Sequence, residues 1–343
     1  MPELAIIADD LTGALDASAP FAMRGFATVV ALSPAALSEA LSGGADVVGV
    51  STDSREIAPE AARAAVADVV AQLPPGMAIF KKVDSRLKGN IGAELDAIAC
   101  ERSLVVPAIP AFGRVVQNGQ LTGFGIAQPI DIAARLGAHA DRASIPEVMR
   151  QDDIDAAVQS NTHDLLVGAR GLAEAVAHSW SGQLQPAPPL DKTAPVILAI
   201  GSTDPITLAQ VSALRDALPE MDFVDAPNGI AATEARALAH FALLQATPGH
   251  EQASPAVVAR NLAASVERLS PPRGSLMVLS GGATAQAILE ALGIGHVTLL
   301  GEALPGLPIA RAGGFTIITK SGGFGDSDTL VRLLDSGSGQ ERE

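Results

Sequence analysis

The sequence has no tyrosine, one tryptophan (Trp180) and one cysteine (Cys100) in 343 residues. A single cysteine excludes an internal disulfide framework and fits a reducing compartment. Its neighbours, Ile98-Ala99 and Glu101-Arg102, offer no metal-ligand spacing, so Cys100 reads as a core thiol. Trp180 reads as packing rather than as a base-stacking platform. Cations are scarce: 23 Lys and Arg stand against 38 Asp and Glu, a net charge of −15. A nucleic-acid binder needs a basic face to release counterions, so none is expected. Small anionic ligands remain open, because they need only a few local cations and backbone N–H groups. Long apolar runs are missing too, which excludes a transmembrane helix of the usual length of about 18 residues or more. The start, Met1-Pro2-Glu3-Leu4-Ala5, lacks the basic region of a secretory signal. The expectation is a cytoplasmic protein without a membrane partner. The six histidines show no H-x-x-x-H or H-E-x-x-H spacing, so no metal site is expected.

What is present is apolar material for sizeable cores, 48% hydrophobic against 18% charged, in a chain long enough for about two domains. Short apolar runs alternate with Ala-rich helical stretches. Strands are expected at Leu4–Ala8, Ala27–Leu32, Asp46–Ser51, Met77–Val83 and Ser103–Ala108, with helices at Gly13–Arg24, Ala58–Leu73 and Ile91–Glu101. The stretch from Ser181 to Pro195 interrupts this alternation; its three prolines within four residues, Pro186 to Pro189, cannot continue a helix and read as a linker. Alternation then resumes with strands Val196–Ile200, Ser275–Leu279, His296–Leu300 and Phe315–Thr319. Helices are expected at Ile206–Leu218, Pro255–Leu269, Ala283–Leu292 and Asp328–Leu334, before a frayed polar tail from Asp335. The fold class is α/β: two helix-covered, mostly parallel-sheet domains with an inter-domain cleft. The boundaries expected are 1–180, a linker at 181–195, and 196–343.

Four segments of the first half can carry chemistry. Asp9-Asp10-Leu11-Thr12-Gly13-Ala14 puts two carboxylates at the end of a strand, where α/β sheets bind ligands. The pair can hydrogen-bond substrate hydroxyls, and one can act as a general base; Asp10 or Thr12 can equally cap the helix that follows. Thr52-Asp53-Ser54-Arg55 places at a second strand end an arginine able to grip a carboxylate bidentately. Lys81-Lys82-Val83-Asp84-Ser85-Arg86-Leu87-Lys88-Gly89-Asn90 follows a third strand and gathers four cations in a chain with few. Such a run is usually a solvated face, yet carboxylates and cations converging at one sheet edge suit a small hydroxylated acid. Pro107 to Arg114 forms a Pro- and Gly-bearing loop that can position Arg114.

In the second half, three strands each run into a loop of small residues and then a helix: Gly201-Ser202-Thr203-Asp204, Ser280-Gly281-Gly282-Ala283-Thr284, and Lys320-Ser321-Gly322-Gly323-Phe324-Gly325-Asp326. Loops of this kind turn backbone N–H groups and a helix N-terminus toward an anion, so they point to phosphate binding. Established nucleotide motifs fail. Gly314 to Ser321 matches a P-loop only superficially, with Thr319 at the required glycine. Neither a dinucleotide fingerprint nor a protein-kinase signature set occurs.

Together these segments resemble the four-carbon acid sugar kinase family. D-D-x-T-G-A appears at Asp9 to Ala14, T-x-S-R at Thr52 to Arg55, K-x-D-S-x-x-R-G-N at Lys82 to Asn90, and P-A-x-P-x-x-G-R at Pro107 to Arg114. Gly201-Ser202 with Thr207 and Gln210, Gly281-Gly282 with Thr284-Ala285, and Lys320 to Asp326 carry the likeness through the second half. The resemblance implies an ATP-dependent kinase that moves the γ-phosphoryl group to the terminal hydroxyl of threonate, erythronate or an oxo-tetronate, with Mg²⁺ accompanying ATP. It implies Asp9 and Asp10 as catalytic carboxylates, and Arg55, Lys82, Asp84, Ser85, Lys88 and Arg114 as substrate-binding groups. Ser202, Gly281, Gly282, Ala283, Thr284, Lys320, Gly322, Gly323 and Gly325 would bind ATP. The partners implied are small molecules, with a homo-oligomer left open. The sequence departs from the family pattern at Lys88 (usually Arg), at Ala283 (often acidic), at Asp204, at Gly168-Ala169-Arg170-Gly171 and in a shortened stretch around 130–146. Alternatives are a non-catalytic sugar-acid or nucleotide sensor with the same fold, or another enzyme acting on the same acids: a dehydrogenase, against which the missing dinucleotide fingerprint argues, or an aldolase, for which Lys82 could form a Schiff base.

Overall fold

The computed structural model describes the chain apart from residues 1–2, 161–162, 192, 233–239 and 336–343, so the expected frayed tail lies almost wholly outside the described residues. The chain divides into two compact units, Met1–Pro186 and Ala187–Glu343.

The first unit opens with β1 (Leu4–Ala8), α1 (Leu11–Ala22), β2 (Thr28–Ala31), α2 (Leu37–Ser42), β3 (Val47–Ser51), α3 (Pro59–Gln72), β4 (Ala78–Lys82), α4 (Ile91–Leu95) and β5 (Ser103–Val106). A small antiparallel sheet follows, made of β6 (Arg114–Gln117), β7 (Gln120–Gly123) and β8 (Ile130–Asp131). After it come α5 (Ile132–Leu136), β9 (Ala143–Ser144), α6 (Gln151–Gln159), β10 (Leu165–Gly168) and α7 (Arg170–Trp180). The main sheet is parallel throughout, in the order β2-β3-β1-β4-β10-β5-β9. Strands β1 and β3 are buried on both faces, which is why they read as unbroken apolar runs rather than as alternation. The chain first builds the side of β1 that holds β3 and then crosses to β4. The crevice at the carboxyl ends of β3, β1 and β4 is therefore a topological switch point, where open α/β sheets bind ligands.

The second unit holds β11 (Val196–Ile200), α8 (Pro205–Ala217), β12 (Asp222–Pro227), β13 (Phe241–Thr247), α9 (Pro255–Arg268), β14 (Leu276–Ser280) and α10 (Gly282–Ala291), then β15 (His296–Leu304), β16 (Leu307–Ala312), β17 (Phe315–Lys320) and α11 (Thr329–Asp335). Its order is β12-β13-β11-β14-β17-β16-β15, parallel from β12 to β17 and antiparallel beyond. Here too the order reverses at the first strand, so β11 and β14 flank a switch point.

The expected strands of the first half all form, each within two residues of its expected ends. The helix expected over Ile91–Glu101 is corrected: it stops at Leu95. The amides of Ala97 and Ile98 tighten onto the Glu94 and Leu95 carbonyls, which swings Ile98 into the core, and Asp96 leaves to bond His139 at 2.8 Å. The segment from Ser181 to Asp191 forms neither helix nor strand, and the Gln185 amide donates to the Met23 carbonyl at 2.7 Å. Trp180 packs edge-on against Phe21 and Phe26, each at 5.2 Å between ring centroids. Cys100 is half-buried against the first core, and burial pushes its thiol up. Among the described residues no helix is long and apolar enough to cross a membrane.

Candidate active site

Asp9 and Asp10 leave the end of β1. Asp10 is the N-cap of α1: its Oδ1 accepts the Gly13 N–H at 2.8 Å and its Oδ2 accepts the Thr12 hydroxyl at 2.8 Å. Capping does not exhaust the pair. Arg55, at the end of the loop after β3, donates from Nε and Nη2 to the two oxygens of Asp9, both at 2.8 Å, and from Nη1 to Asp10 Oδ2 at 2.9 Å. Its Nη2 also lies 4.0 Å from Asp84 Oδ2, beyond β4. One guanidinium thus ties together three carboxylates from two strand ends. Asp9 is 2% exposed. Burial pushes its carboxyl up, but the Arg55 hydrogen bonds and the charges of Lys81, Arg55 and Lys82 outweigh that and hold it below the usual carboxylate range. Burial works against the Arg55 charge as well, and the Asp9 bond with the Asp10, Asp9 and Asp84 charges raises its pKa despite it.

The third loop closes on the same cluster. Asp84 Oδ1 accepts the Arg86 amide at 2.9 Å and faces that of Lys88 at 3.4 Å, folding the segment into a tight turn. Gly89 has φ +87°, and a Cβ there would meet Asp9 Oδ2 at 3.1 Å and Arg55 Cγ at 3.4 Å, so this turn can approach the cluster only as glycine. Asn90 Nδ2 donates to the Ser54 and Ile57 carbonyls, both at 2.9 Å, and joins the second loop to the third. Lys82 is buried at the end of β4; its Nζ donates to the Val83 carbonyl at 2.9 Å and lies against Gly13, whose Cβ position is 3.2 Å away. Arg114 donates from Nη1 to Ser85 Oγ at 2.7 Å and from Nε to the Phe124 carbonyl at 2.9 Å. Burial and the neighbouring Arg86 charge push the Arg114 pKa down. The structure therefore gathers Asp9, Asp10, Arg55, Lys82 and Asp84, and joins Ser85 to Arg114. Lys88 is exposed, with only its backbone turned to Asp84.

Sequence reasoning missed what lies beneath. Lys81 forms a fully buried ion pair with Glu94 of α4, and Ser54 donates to Glu94. A signal existed: two successive lysines inside a parallel strand, and a carboxylate between Ile91 and Leu95 on a short apolar helix, both require buried partners.

In the second unit the three small-residue loops converge at the carboxyl ends of β11, β14 and β17. The ladder continues into them, with Gly201 N–H donating to the Ser280 carbonyl and Gly281 N–H to the Lys320 carbonyl, both at 3.0 Å. Gly201 leaves room for the Thr284 hydroxyl, which a Cβ would strike; Gly322 does the same for Ser202 Oγ, and Gly323 sits 3.0 Å, measured to its Cβ position, from Asp204 Oδ2. Gly281, at φ +102°, is the N-cap of α10 and brings no capping side chain, so the first amides of the helix, at Gly282, Ala283 and Thr284, have no side-chain acceptor at their cap. Gly325, at φ +85°, lies over Thr329. Lys320 Nζ gives all three donors to the chain itself: Thr207 Oγ1 at 3.0 Å, the Ser321 carbonyl at 2.9 Å and the Gly322 carbonyl at 3.0 Å. Gln210 Nε2 binds the Phe324 and Asp326 carbonyls at 2.9 and 2.7 Å. Burial lowers the Lys320 pKa to about 8, against the opposing pull of Asp204. Among the described residues no group of three or more His, Cys, Asp or Glu is placed to hold a metal ion.

Comparison with known proteins matches residues 4–130 to a sugar-binding N-terminal domain and 197–330 to a nucleotide-binding C-terminal domain. A D-threonate kinase of Bordetella bronchiseptica is 30% identical, with 98% of this chain and 97% of that protein covered. A 3-oxo-tetronate kinase of Methylobacterium radiotolerans is 27% identical, over 97% of this chain and 98% of that protein. A solved structure from Salmonella typhimurium LT2 superposes with a TM-score of 0.75 at 18% identity, covering 96% of this chain and 98% of its own.

Proposed function

The chain belongs to the four-carbon acid sugar kinase family, and from that premise we propose that it transfers the γ-phosphoryl group of ATP to a hydroxyl of a four-carbon sugar acid such as threonate, erythronate or an oxo-tetronate. The observation that carries this reading is the Arg55-braced pair Asp9–Asp10 at the switch point of the sugar-binding unit.

The two carboxylates differ in what they can do. Asp9 is enclosed and both its oxygens face Arg55; it holds the guanidinium. The Asp10 side chain is 20% exposed, and Oδ1 carries a single bond, to Gly13 N–H, leaving a lone pair for a substrate hydroxyl. Asp10 orients that hydroxyl and accepts its proton. Because phosphoryl transfer runs through a loose transition state, the main demands on the protein are position and charge neutralisation. Lys82 and the Ser85–Arg114 pair supply cations and a hydroxyl to the acid's carboxylate and neighbouring hydroxyls. In the second unit the uncapped amides of α10 and the loops at Ser202 and Gly322 to Gly325 take the phosphates. Lys320 shapes the last of these loops from beneath. Among the described residues no protein cage for Mg²⁺ is at hand, and none is required: Mg²⁺ usually binds through substrate phosphates and one or two carboxylates. Asp204 Oδ2, close to Gly323, fits that minor role, and the ion would supply charge neutralisation on the phosphates.

The test is ADP release from Mg-ATP across threonate, erythronate and oxo-tetronate isomers. The expected result is turnover with one isomer well above the ATPase background. Nucleotide binding without any acid-stimulated turnover would replace this reading with the sensor reading, with Lys88 and Ala283 as the first positions to revert.

A further inference from the structure

Lys81 and Glu94 bury opposite charges side by side, Nζ to Oε2 at 2.9 Å, with side chains 0% and 1% exposed. A pair enclosed in this way is a poor source of stability. Its desolvation cancels much of its attraction, and apolar residues of similar volume often do as well or better. What the pair does contribute is an acceptor at a fixed point. Glu94 Oε1 accepts the Ser54 hydroxyl. That hydroxyl lies 2.6 Å from Thr52 Oγ1, and Thr52 Oγ1 binds the Ala8 carbonyl at 2.9 Å. The backbone of the same loop is tied to the same strand end: Thr52 N–H donates to the Ala8 carbonyl at 2.9 Å, and Ser54 N–H to the Asp9 carbonyl at 3.0 Å. Between these two residues Asp53 takes φ +48°, a conformation that a non-glycine residue holds only when its surroundings enforce it. The residue after Ser54 is Arg55. Lys81 in turn is fixed by the Lys82 carbonyl at 3.0 Å, so Glu94 is held between a strand residue and a loop hydroxyl.

We propose that Glu94, clamped by Lys81, is a positioning residue: through Ser54 it sets the loop that presents Arg55 to Asp9 and Asp10. The proposal rests on the reading of that cluster as the acid-sugar site. Glu94 touches neither reacting partner, and its effect passes wholly through the placement of the guanidinium fork.

Two double variants separate this role from a structural one, because both remove the buried charges, and one leaves Ser54 an acceptor while the other leaves none. Lys81→Met/Glu94→Gln keeps a carbonyl oxygen; Lys81→Met/Glu94→Leu does not. The measurements are kcat and KM for the acid that wild-type protein turns over best in the threonate, erythronate and oxo-tetronate panel, nucleotide affinity by titration, and Tm. The glutamine variant is expected within about threefold of wild-type kcat, and the leucine variant at least about tenfold below it, since a misplaced group of the order of 1 Å already costs more. Nucleotide affinity is expected unchanged in both. Equal kcat in the two double variants overturns the proposal, as does a kcat that merely follows Tm. Should the leucine variant fail to fold, Ser54→Ala, which leaves the ion pair intact, carries the test: kcat is expected to drop about threefold or more, and wild-type kcat overturns the proposal. Wild-type protein that turns over none of the acids overturns instead the reading on which the proposal stands.

Discussion

The two candidate sites, one in each unit, handle charge by opposite means. In the sugar-binding unit, charge is met by charge: Arg55 against Asp9, Asp10 and Asp84, and Lys81 against Glu94, with Asn90 and Gly89 holding the loops together. In the nucleotide-binding unit the loops at 201–204, 281–284 and 320–325 are mostly backbone, and the buried Lys320 spends its donors on neutral oxygens. On the proposed function, the difference follows from what each would recognise. Telling one hydroxy acid from another needs side chains locked in direction, and a fork bonded on both prongs is locked. Holding a polyphosphate needs many N–H groups and close approach, which glycine provides and side chains obstruct.

If that contrast is right, the largest activity effect belongs to the first unit. Asp10→Asn is expected to lower kcat by about 10²-fold, the low end for a positioned proton acceptor, with nucleotide affinity unchanged. Asn serves as well as Asp at an N-cap, so α1 keeps its first turn and the loss reads as chemistry rather than unfolding. Steady-state ADP release beside a nucleotide titration checks it; unchanged kcat would remove Asp10 from the chemical step. Arg55→Met should be the costliest change in stability, about 2–3 kcal/mol by denaturant unfolding. That is somewhat below the cost of breaking a wholly buried pair, because Arg55 is 21% exposed on its side chain. The same variant alters acid sensitivity. Asp9 has its folded pKa depressed, so its contribution is present above the ordinary carboxylate range and lost as pH falls through the folded value. Wild-type Tm should therefore fall on acidification more steeply than that of Arg55→Met.

Much of both frames was legible beforehand, for one reason. In a parallel sheet each strand is an apolar run and each functional loop follows its end, so Asp9, Arg55 and Asp84 could be placed side by side without coordinates. What escaped had its signal in partners distant in sequence. Lys81 reads as one more surface cation until Glu94, thirteen residues on, turns inward to meet it. Arg55 reads as a ligand for the substrate's carboxylate, and nothing in its own segment shows that three of its five N–H donors go to Asp9 and Asp10. Strand β16 escaped because Pro308 and a tight turn at Gly306 hide a hairpin partner, and β10 because four residues give too short a pattern to read.

A smaller effect should come from the second unit, and it should fall on the nucleotide alone. A Cβ at Gly322 would be driven into Ser202 Oγ and would lie 3.3 Å from Asp204 Cβ. Separating the two loops by a few tenths of an ångström should raise the KM for ATP about tenfold in Gly322→Ala, roughly 1.4 kcal/mol, and leave the KM for the acid alone. A matching rise in both constants would mean that the two sites are not energetically separate, and the contrast between them would weaken.

The subtlest expectation concerns Lys320, whose pKa is lowered to about 8 by burial, with Asp204 drawing it partly back. A folded value depressed below that of the unfolded chain means that between the two the unfolded state binds more protons. This group's contribution to stability therefore becomes more favourable as pH rises from about 8 toward the ordinary lysine range. Nucleotide binding should move the other way. A neutral amine has two N–H donors where the ammonium has three, so one of the bonds to Thr207, Ser321 and Gly322 is lost, together with the nearby positive charge. Across pH 7 to 9 the affinity for ATP is expected to fall about threefold while the Lys320 share of Tm rises. Lys320→Met should flatten both trends relative to wild type, a difference measurement that cancels every other group titrating in that range. A fall much steeper than threefold would mean that the ammonium meets the phosphates directly and does not merely shape the loop around them.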